Sequence, residues 1–292
     1  MIFDRNEKKQ VVALLVAGSM GTAIVRRIAA GKKILLGDIS AQALERVSDD
    51  FRRSGYDVET QVVNALEKES IEAFAKKAEE LGPVMYFIDT AGASPNQASP
   101  EHIIALEMVG TGYAVDAFGR VMAEGGAGLI ISSQAAYMYP IPNEDELQIV
   151  NAATEQLAEL PIVKNVAMQN SGLAYMIAKR VNHLQAQRAA ATTWRERRAR
   201  INTISPGIIV TPLAYDEFFA EQSGKAERNA NGDGYQAMID ASAARRVATS
   251  DEIADAASFL LGEHATFING TDLLIDGGVI PSIRTGMFKL QG

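Results

Sequence analysis

The 292-residue sequence contains no cysteine, a single tryptophan and only three histidines. Without cysteine there are no disulfides, thiolate nucleophiles or thiolate metal sites, a composition that fits a reducing interior. No apolar run is long enough to span a bilayer, and the opening MIFDRNEKKQ has no signal-peptide core. The expectation is therefore a cytoplasmic protein with no membrane partner. Positive charge is also in short supply: 28 Lys and Arg face 36 Asp and Glu, for a net charge of −8. That balance argues against nucleic acid as the main partner. His102, His183 and His264 are scattered without ligand spacing, so each reads as a surface or satisfied helix residue and no metal is expected. The locally basic run from Trp194 to Arg200 is explained by a helix C-terminus, where cations oppose the dipole.

What is present is the makeup of an ordinary globular chain, 47% hydrophobic and 22% charged. Short apolar runs alternate with longer stretches of helical period. Val11–Val16, Lys33–Gly37, Val58–Val63, Val84–Ile88, Leu129–Ser132, Ile201–Ile204 and Leu273–Ile275 read as strands. Helical stretches at Gly21–Ala30, Ala41–Arg53, Lys68–Leu81, Pro100–Ala123, Gly172–Arg198 and Ser250–Leu261 lie between them. The alternation predicts an α/β fold with a doubly wound parallel sheet of Rossmann type, in one domain over residues 1–292. Two stretches break the rhythm. Met138–Asn170 has three prolines and a helix-like patch, and reads as an active-site insertion before the catalytic helix. Its many apolar side chains must dock somewhere, and a wall or lid over the substrate is the expectation. Ala214–Ala244 contains the flexible run Asn229-Ala230-Asn231-Gly232-Asp233-Gly234.

Ala17-Gly18-Ser19-Met20-Gly21 joins the first strand to the first helix. There, small residues let the backbone approach a pyrophosphate and the helix N-terminus offers free N–H donors. Asp38 closes the second strand 20 residues after Gly18, the spacing at which a carboxylate bonds a ribose 2′-hydroxyl and repels a 2′-phosphate. NAD is thus expected over NADP. A glycine turn followed by a helix-capping aspartate is the plainer alternative.

Tyr175 and Lys179 stand four apart on a predicted helix and emerge on one face. An ammonium near a phenol stabilises the phenolate, which makes tyrosine a usable acid/base for an alcohol/carbonyl couple. Such spacing is common on exposed helices, so its weight comes from the surroundings. In order, these are Gly18–Gly21, Asp38, Asp89-Thr90-Ala91-Gly92, Ile131-Ser132-Ser133, Tyr175-x-x-x-Lys179, Arg200 to Gly207, Thr211, Phe259-Leu260-Leu261 and Asp276-Gly277-Gly278. This ordered set resembles the short-chain dehydrogenase/reductase family over almost the whole chain.

The resemblance implies Tyr175 as acid/base, Ser133 as the hydroxyl on the substrate oxygen, and Lys179 on the tyrosine and the nicotinamide ribose. It implies Pro206, Gly207, Ile209 and Thr211 beside the nicotinamide, Ala91 and Gly92 toward the adenosine, and a homodimer or homotetramer built on the two long helices. The chain departs from the family pattern at several places. Val16 and Ser19 replace glycines of the turn, Asp89-Thr90 replaces a pair of asparagines, and Asn64 stands at an adenine-contacting aspartate. Glu107 lies near the place of a catalytic asparagine, and 42 residues separate Ser133 from Tyr175 where about a dozen are usual. The expected activity is hydride transfer between nicotinamide and a small secondary alcohol or ketone, moderately apolar by the residues Ala135 to Ile141. A sugar-nucleotide epimerase or dehydratase, or a regulator that binds cofactor without turnover, are the alternatives.

Overall fold

Val11, Ala13 and Leu15 of β1 (Val11–Leu15) pack into one core while Val12 and Leu14 pack into another, and all five are buried. Strict alternation with both faces covered is what a central parallel strand requires. Six strands join it: β2 (Lys33–Asp38), β3 (Asp57–Val62), β4 (Val84–Asp89), β5 (Met122–Ile131), β6 (Arg200–Pro206) and the late β11 (Asp272–Ile275). Their order is β11-β6-β5-β4-β1-β2-β3, with every neighbouring pair parallel. Between them in sequence lie the short β7 (Ile209–Val210) and β10 (Ala248–Thr249), which pair with each other, and the hairpin β8 (Phe219–Gln222) and β9 (Lys225–Arg228). The computed structural model describes residues 8–212, 214–215, 219–222, 225–228 and 230–288. Residues 1–7, which carry the reading of the N-terminus, lie outside the described residues.

On one face of the sheet lie α1 (Ser19–Ile28), α2 (Ala41–Arg53) and α11 (Ser250–Leu261), which bury Ile24, Val25, Leu44, Phe51 and Ile253. On the other lie α3 (Lys68–Leu81), α5 (Thr111–Val121) and α8 (Ser171–Ala191), with Phe74, Phe118 and Ala186 inside. Outside these layers lie α4 (Pro100–Ile103), α6 (Asn143–Asn151), α7 (Pro161–Asn165), α9 (Thr193–Glu196), α10 (Ala230–Ala241) and α12 (Val279–Arg284). Caps mark the starts: Ser40 accepts from the N–H of Ala43, and Thr249 with Glu252 forms a capping box on α11. Among the described residues no helix is long and apolar enough to cross a membrane.

Several boundaries differ from the sequence reading. The helix expected over Pro100–Ala123 is α4, a π-helical stretch (Ile104–Gly110) and α5 in series. A π turn leaves main-chain carbonyls outside the usual ladder, and α8 takes them up. Asn182 Nδ2 donates to the Glu107 carbonyl and Gln185 Nε2 to that of Met108, each at 2.7 Å. Gly110 passes so near the Ala65 carbonyl that a Cβ would sit 2.4 Å from its oxygen. β5 begins at Met122, seven residues before the expected Leu129: Met122 pairs with Val84, and an irregular stretch through Gly125 at φ 78° precedes the regular pairing from Ala127. α8 stops at Ala191 rather than Arg198, so that Trp194 can fold into the core against Gly128 and donate to the Val115 carbonyl. Arg200 in the basic run is buried and donates to the carbonyls of Leu260 and Gly262, closing the C-terminus of α11. The supposedly flexible run at 229–234 opens α10 from Ala230 onward; Asn229 itself lies outside the described residues.

The insertion at 138–170 forms α6, a 3-10 turn (Thr154–Glu159) and α7, and packs on the outer side of α8 and the π stretch. Ile149, Leu157, Ile162 and Val163 are buried there with Ile103, Met108, Ile177 and Val181. Each such side chain contributes roughly 1.5–3 kcal/mol before ordering entropy is subtracted. Polar ties complete the seam: Arg180 to Glu146 at 2.8 Å, and Thr154 to Asp116 at 2.7 Å. The expectation of a substrate lid is corrected to a buttress, since only Met138 of this stretch lines the main cavity. The small residues of α5 and α8 are likewise spent inside the subunit. Gly112 faces Thr154, while Ala114, Ala117, Ala186 and Ala189 belong to the core.

A Cβ on Gly112 would lie 2.5 Å from Thr154 Cγ2 and 2.9 Å from Gln185 Nε2. Gly112→Val should therefore push the 3-10 turn off α5 and lower stability by about 1–3 kcal/mol. Urea unfolding followed through the fluorescence of Trp194, the sole tryptophan, measures it; an unchanged midpoint would refute the seam.

Candidate active site

The strand order reverses at β1 and β4, and in such sheets the crevice opens beyond the strands' C-terminal ends. The chain follows this rule. A cavity of about 480 Å³ lies there, walled by Thr90 to Asn96 after β4, Ile131 to Ala135 after β5, and Pro206 to Ile209 after β6. Tyr175, Met176 and Lys179 of α8 form its floor, and Ala214, Gly234, Tyr235 and Met238 of the second excursion close the outer side. That excursion, rather than the insertion, supplies the wall facing a ligand.

At the glycine turn, Val16 has φ +67°, a conformation costly for a β-branched residue, by about 1–2 kcal/mol. Glycine is the usual residue at this place in the resemblance, and the backbone explains why. Here neighbours hold Val16 in place. Its N–H donates to the Gly37 carbonyl at 2.8 Å, and its own carbonyl accepts from Thr90 Oγ1 at 2.6 Å. The departures at 16 and 90 are thus one feature. Gly18 caps α1 without a side-chain bond, and the space where its Cβ would project is open. Gly21 is obligatory, since a Cβ would sit 2.7 Å from Leu14. Asp38 accepts from the N–H of Ala17 at 3.0 Å and of Ser40 at 2.9 Å, which fixes its carboxylate beside the turn. An open helix N-terminus, a close-approach glycine and a fixed carboxylate suit a dinucleotide.

Asn64 does not join this set. Its side chain accepts from the N–H of Leu66 and donates to Glu67, building the turn into α3, and it is absent from the cavity lining among the described residues. Ala17, Gly18, Ser19, Gly21 and Asp38 sit in the adjoining turn rather than the cavity. Met20, Ala91, Gly92, Ser133, Tyr175, Lys179, Pro206, Gly207, Ile209 and Thr211 line it.

Ser133 follows β5 in extended conformation, and its hydroxyl accepts from the N–H of Ala135. Neighbouring Ser132 donates to the Lys179 carbonyl at 2.8 Å, pinning α8 to β5. Lys179 is 4% exposed; its Nζ lies 5.5 Å from the Tyr175 ring centre and 3.3 Å from the Ile131 carbonyl. It also lies 2.9 Å from Oε2 of the fully buried Glu107, whose Oε1 accepts from the N–H of Ala93 at 2.8 Å. Burial alone would lower the lysine's pKa, but Glu107, Tyr175 and Asp89 outweigh it and hold the ammonium above its ordinary value. Burial pushes Glu107 up against the pull of Lys179. Asp89, also buried, is pushed up to about 6 by desolvation, opposed by the N–H of Ala91 and by Lys179. Sequence reasoning marked Glu107 only as a departure. The signal it left unused was a lone carboxylate in the apolar run Leu106 to Val109.

Behind the cavity a second network steadies the turn after Ser133. Tyr137 donates to Asp272 at 2.6 Å, which also accepts from Ser205, and His183 Nε2 lies 2.9 Å from Ser205 Oγ. Burial depresses His183 to about 4, so it is neutral near pH 7 and acts as a satisfied helix residue.

A profile of the family described as Enoyl-(Acyl carrier protein) reductase matches residues 161–280. Over 274 residues the chain is 35% identical to Short-chain dehydrogenase/reductase bsc3 of Alternaria brassicicola, covering 93% of this chain and 96% of that protein. The chain belongs to the short-chain dehydrogenase/reductase family. Galactitol 2-dehydrogenase (L-tagatose-forming) of Cereibacter sphaeroides is 27% identical over 272 residues, covering 90% of this chain and 91% of that one. A solved short-chain dehydrogenase/reductase from Serratia marcescens superposes with a TM-score of 0.70 at 19% identity, covering 93% and 98% of the two chains. This likeness supports the fold. As a short-chain dehydrogenase/reductase the protein is an oxidoreductase of CH–OH groups that uses a nicotinamide cofactor.

The raised Asp89 carboxyl has a thermodynamic consequence. Its folded pKa of about 6 exceeds the ordinary 3.8, so the folded state holds the proton more tightly than the unfolded state. Stability is lost as pH rises through that window, up to about 3 kcal/mol once the group is ionised. Asp89→Asn in this short-chain dehydrogenase/reductase should therefore gain more stability relative to the parent at pH 8 than at pH 4.5. Urea melts at the two pH values decide it; an equal change at both would place the titration elsewhere.

Proposed function

We propose that the protein is an NAD-dependent oxidoreductase that interconverts an apolar secondary alcohol and its ketone, with Tyr175 as the acid/base. The observation that carries this reading is the convergence of Ser133, Tyr175 and Lys179 on one cavity, beside Pro206, Gly207, Ile209 and Thr211. The Ser133 hydroxyl bonds the substrate oxygen, and the Tyr175 hydroxyl gives that oxygen a proton in reduction or takes one in oxidation. Lys179 orients the nicotinamide ribose. Pro206, Gly207, Ile209 and Thr211 flank the nicotinamide, Ala91 and Gly92 the adenosine side, and Ala17 to Gly21 the pyrophosphate. Hydride acceptance and donation are the chemistry NAD(H) supplies when bound. Asn64, placed on the adenine side by the resemblance, is held by its bonds to Leu66 and Glu67 at the turn before α3.

Two features support the finer choices. Asp38, fixed by two main-chain N–H groups beside the turn, favours a ribose hydroxyl and disfavours a 2′-phosphate. Met138, Met176 and Met238 line the cavity and suit an apolar, variably shaped substrate. The absence of cysteine suits the cytoplasm. Self-association as a homodimer or homotetramer belongs to the same reading, and the exposed Arg120 of α5 with Gln187 and Ala191 of α8 leaves part of both helices open to a second copy.

The central test is Tyr175→Phe with NAD and a panel of secondary alcohols. Turnover should fall by orders of magnitude while calorimetric cofactor affinity stays within a few-fold, because the lost group acts in the transition state. Near-normal turnover would move the proton chemistry to another residue. Cofactor choice is tested separately. The parent should bind NAD(H) more tightly than NADP(H), and Asp38→Ala should narrow the gap; equal affinities in the parent would overturn the assignment of NAD.

A further inference from the structure

Two buried carboxyls surround one buried ammonium at the active site. Glu107 faces Lys179 as an ion pair, its Oε2 lying 2.9 Å from Nζ without hydrogen-bond geometry, while its Oε1 accepts the Ala93 N–H at 2.8 Å. Asp89 accepts from the N–H of Ala91 at 2.8 Å, and its second oxygen is buried without a hydrogen-bond partner among the described residues. Gly92 borders this cluster, where a Cβ would stand at ordinary contact distance, 3.6 Å from Lys179 Nζ and 3.9 Å from the Glu107 carboxylate. The ammonium beside Tyr175 is thus matched by Glu107 and exceeded once Asp89 also ionises.

We infer that Glu107 is a positioning residue that cancels the charge of Lys179 and so keeps the Tyr175 phenol protonated at neutral pH, setting the site for carbonyl reduction. This deepens the proposed reading, which it takes for its substrate and cofactor. In the favoured direction the carbonyl carbon gains a hydride from reduced nicotinamide and the carbonyl oxygen gains the Tyr175 proton. Alcohol and oxidised nicotinamide result, and the phenolate is reprotonated from solvent. A lone ammonium at this distance would stabilise the phenolate and favour the reverse, alcohol-oxidising state. The π-helical stretch is what aims Glu107 inward, and the ties from Asn182 and Gln185 hold that stretch to the helix of Tyr175 and Lys179. The other titratable groups facing this place are Asp89 at the end of β4, Tyr235 across the cavity, and His102 on α4, which acts on Glu107.

The test titrates Tyr175 directly in the cofactor-free protein, by the ultraviolet absorbance of phenolate, each protein read against its Tyr175→Phe counterpart. Glu107→Gln alone leaves Asp89 to take over, so the decisive variant is Glu107→Gln with Asp89→Asn. Its Tyr175 midpoint should fall by about one pH unit or more below the parent's. Adding Lys179→Met should abolish that fall. An unchanged or raised midpoint in the double variant overturns the inference. If the double variant does not fold, the triple variant decides against the parent. A midpoint within about half a unit of the parent's, or below it, supports cancellation. One higher by a unit or more would mean that the ammonium prevails. None of these readouts needs a substrate, so they stand even if the panel of alcohols shows no turnover. Where turnover is found, the acid limb of the oxidation profile should move down by the same amount in the double variant.

Discussion

A cation buried at the ends of parallel strands cannot stay unpaired, and much of the local architecture follows from housing the ammonium of Lys179. Its partner Glu107 sits in the π-helical stretch Ile104–Gly110. Carbonyls of that stretch leave their ladder, and Asn182 and Gln185 on α8 recover them. Those two residues lie three and six positions beyond Lys179, so the helix that brings the cation also secures the segment that brings the anion. Ser132 then fixes the same helix to β5 through the Lys179 carbonyl. Removing one member would leave buried charge or buried carbonyls uncompensated.

The glycine turn is coupled in a comparable way. Val16 holds a backbone conformation that favours glycine, and the Thr90 hydroxyl restrains it from the neighbouring strand end. Thr90 is therefore tied to the same turn as the residue it restrains, at the point where β1 and β4 lie side by side. Gly21 must stay small because both Leu14 and Thr90 press toward it.

Most of the fold was legible because two-residue alternation and strand-length apolar runs reflect direct burial on both faces of a sheet. Ser133 and Pro206-Gly207 were singled out by the family resemblance rather than by periodicity, and all three line the cavity. What escaped the sequence were consequences of contacts between distant segments. Nothing local in Ile104–Gly110 announces a π turn, since its carbonyls are stabilised by side chains some 75 residues away. The bonds that fix Asn64 to the start of α3 are likewise invisible in its position alone. The docking place of the insertion depended on which face of α8 was left apolar. The end of α8 depended on Trp194 finding space above Gly128.

The insertion changes what the catalytic helix relies on. Because α6, the 3-10 turn and α7 pack on α8 and the π stretch from within the same chain, the helix bearing Tyr175 and Lys179 is buried in part by an intramolecular contact. Its order is then a unimolecular property, independent of protein concentration, in contrast to a helix that a neighbouring subunit must cover. That intramolecular cover ties the order of the reaction centre's scaffold to the docking of α6, the 3-10 turn and α7.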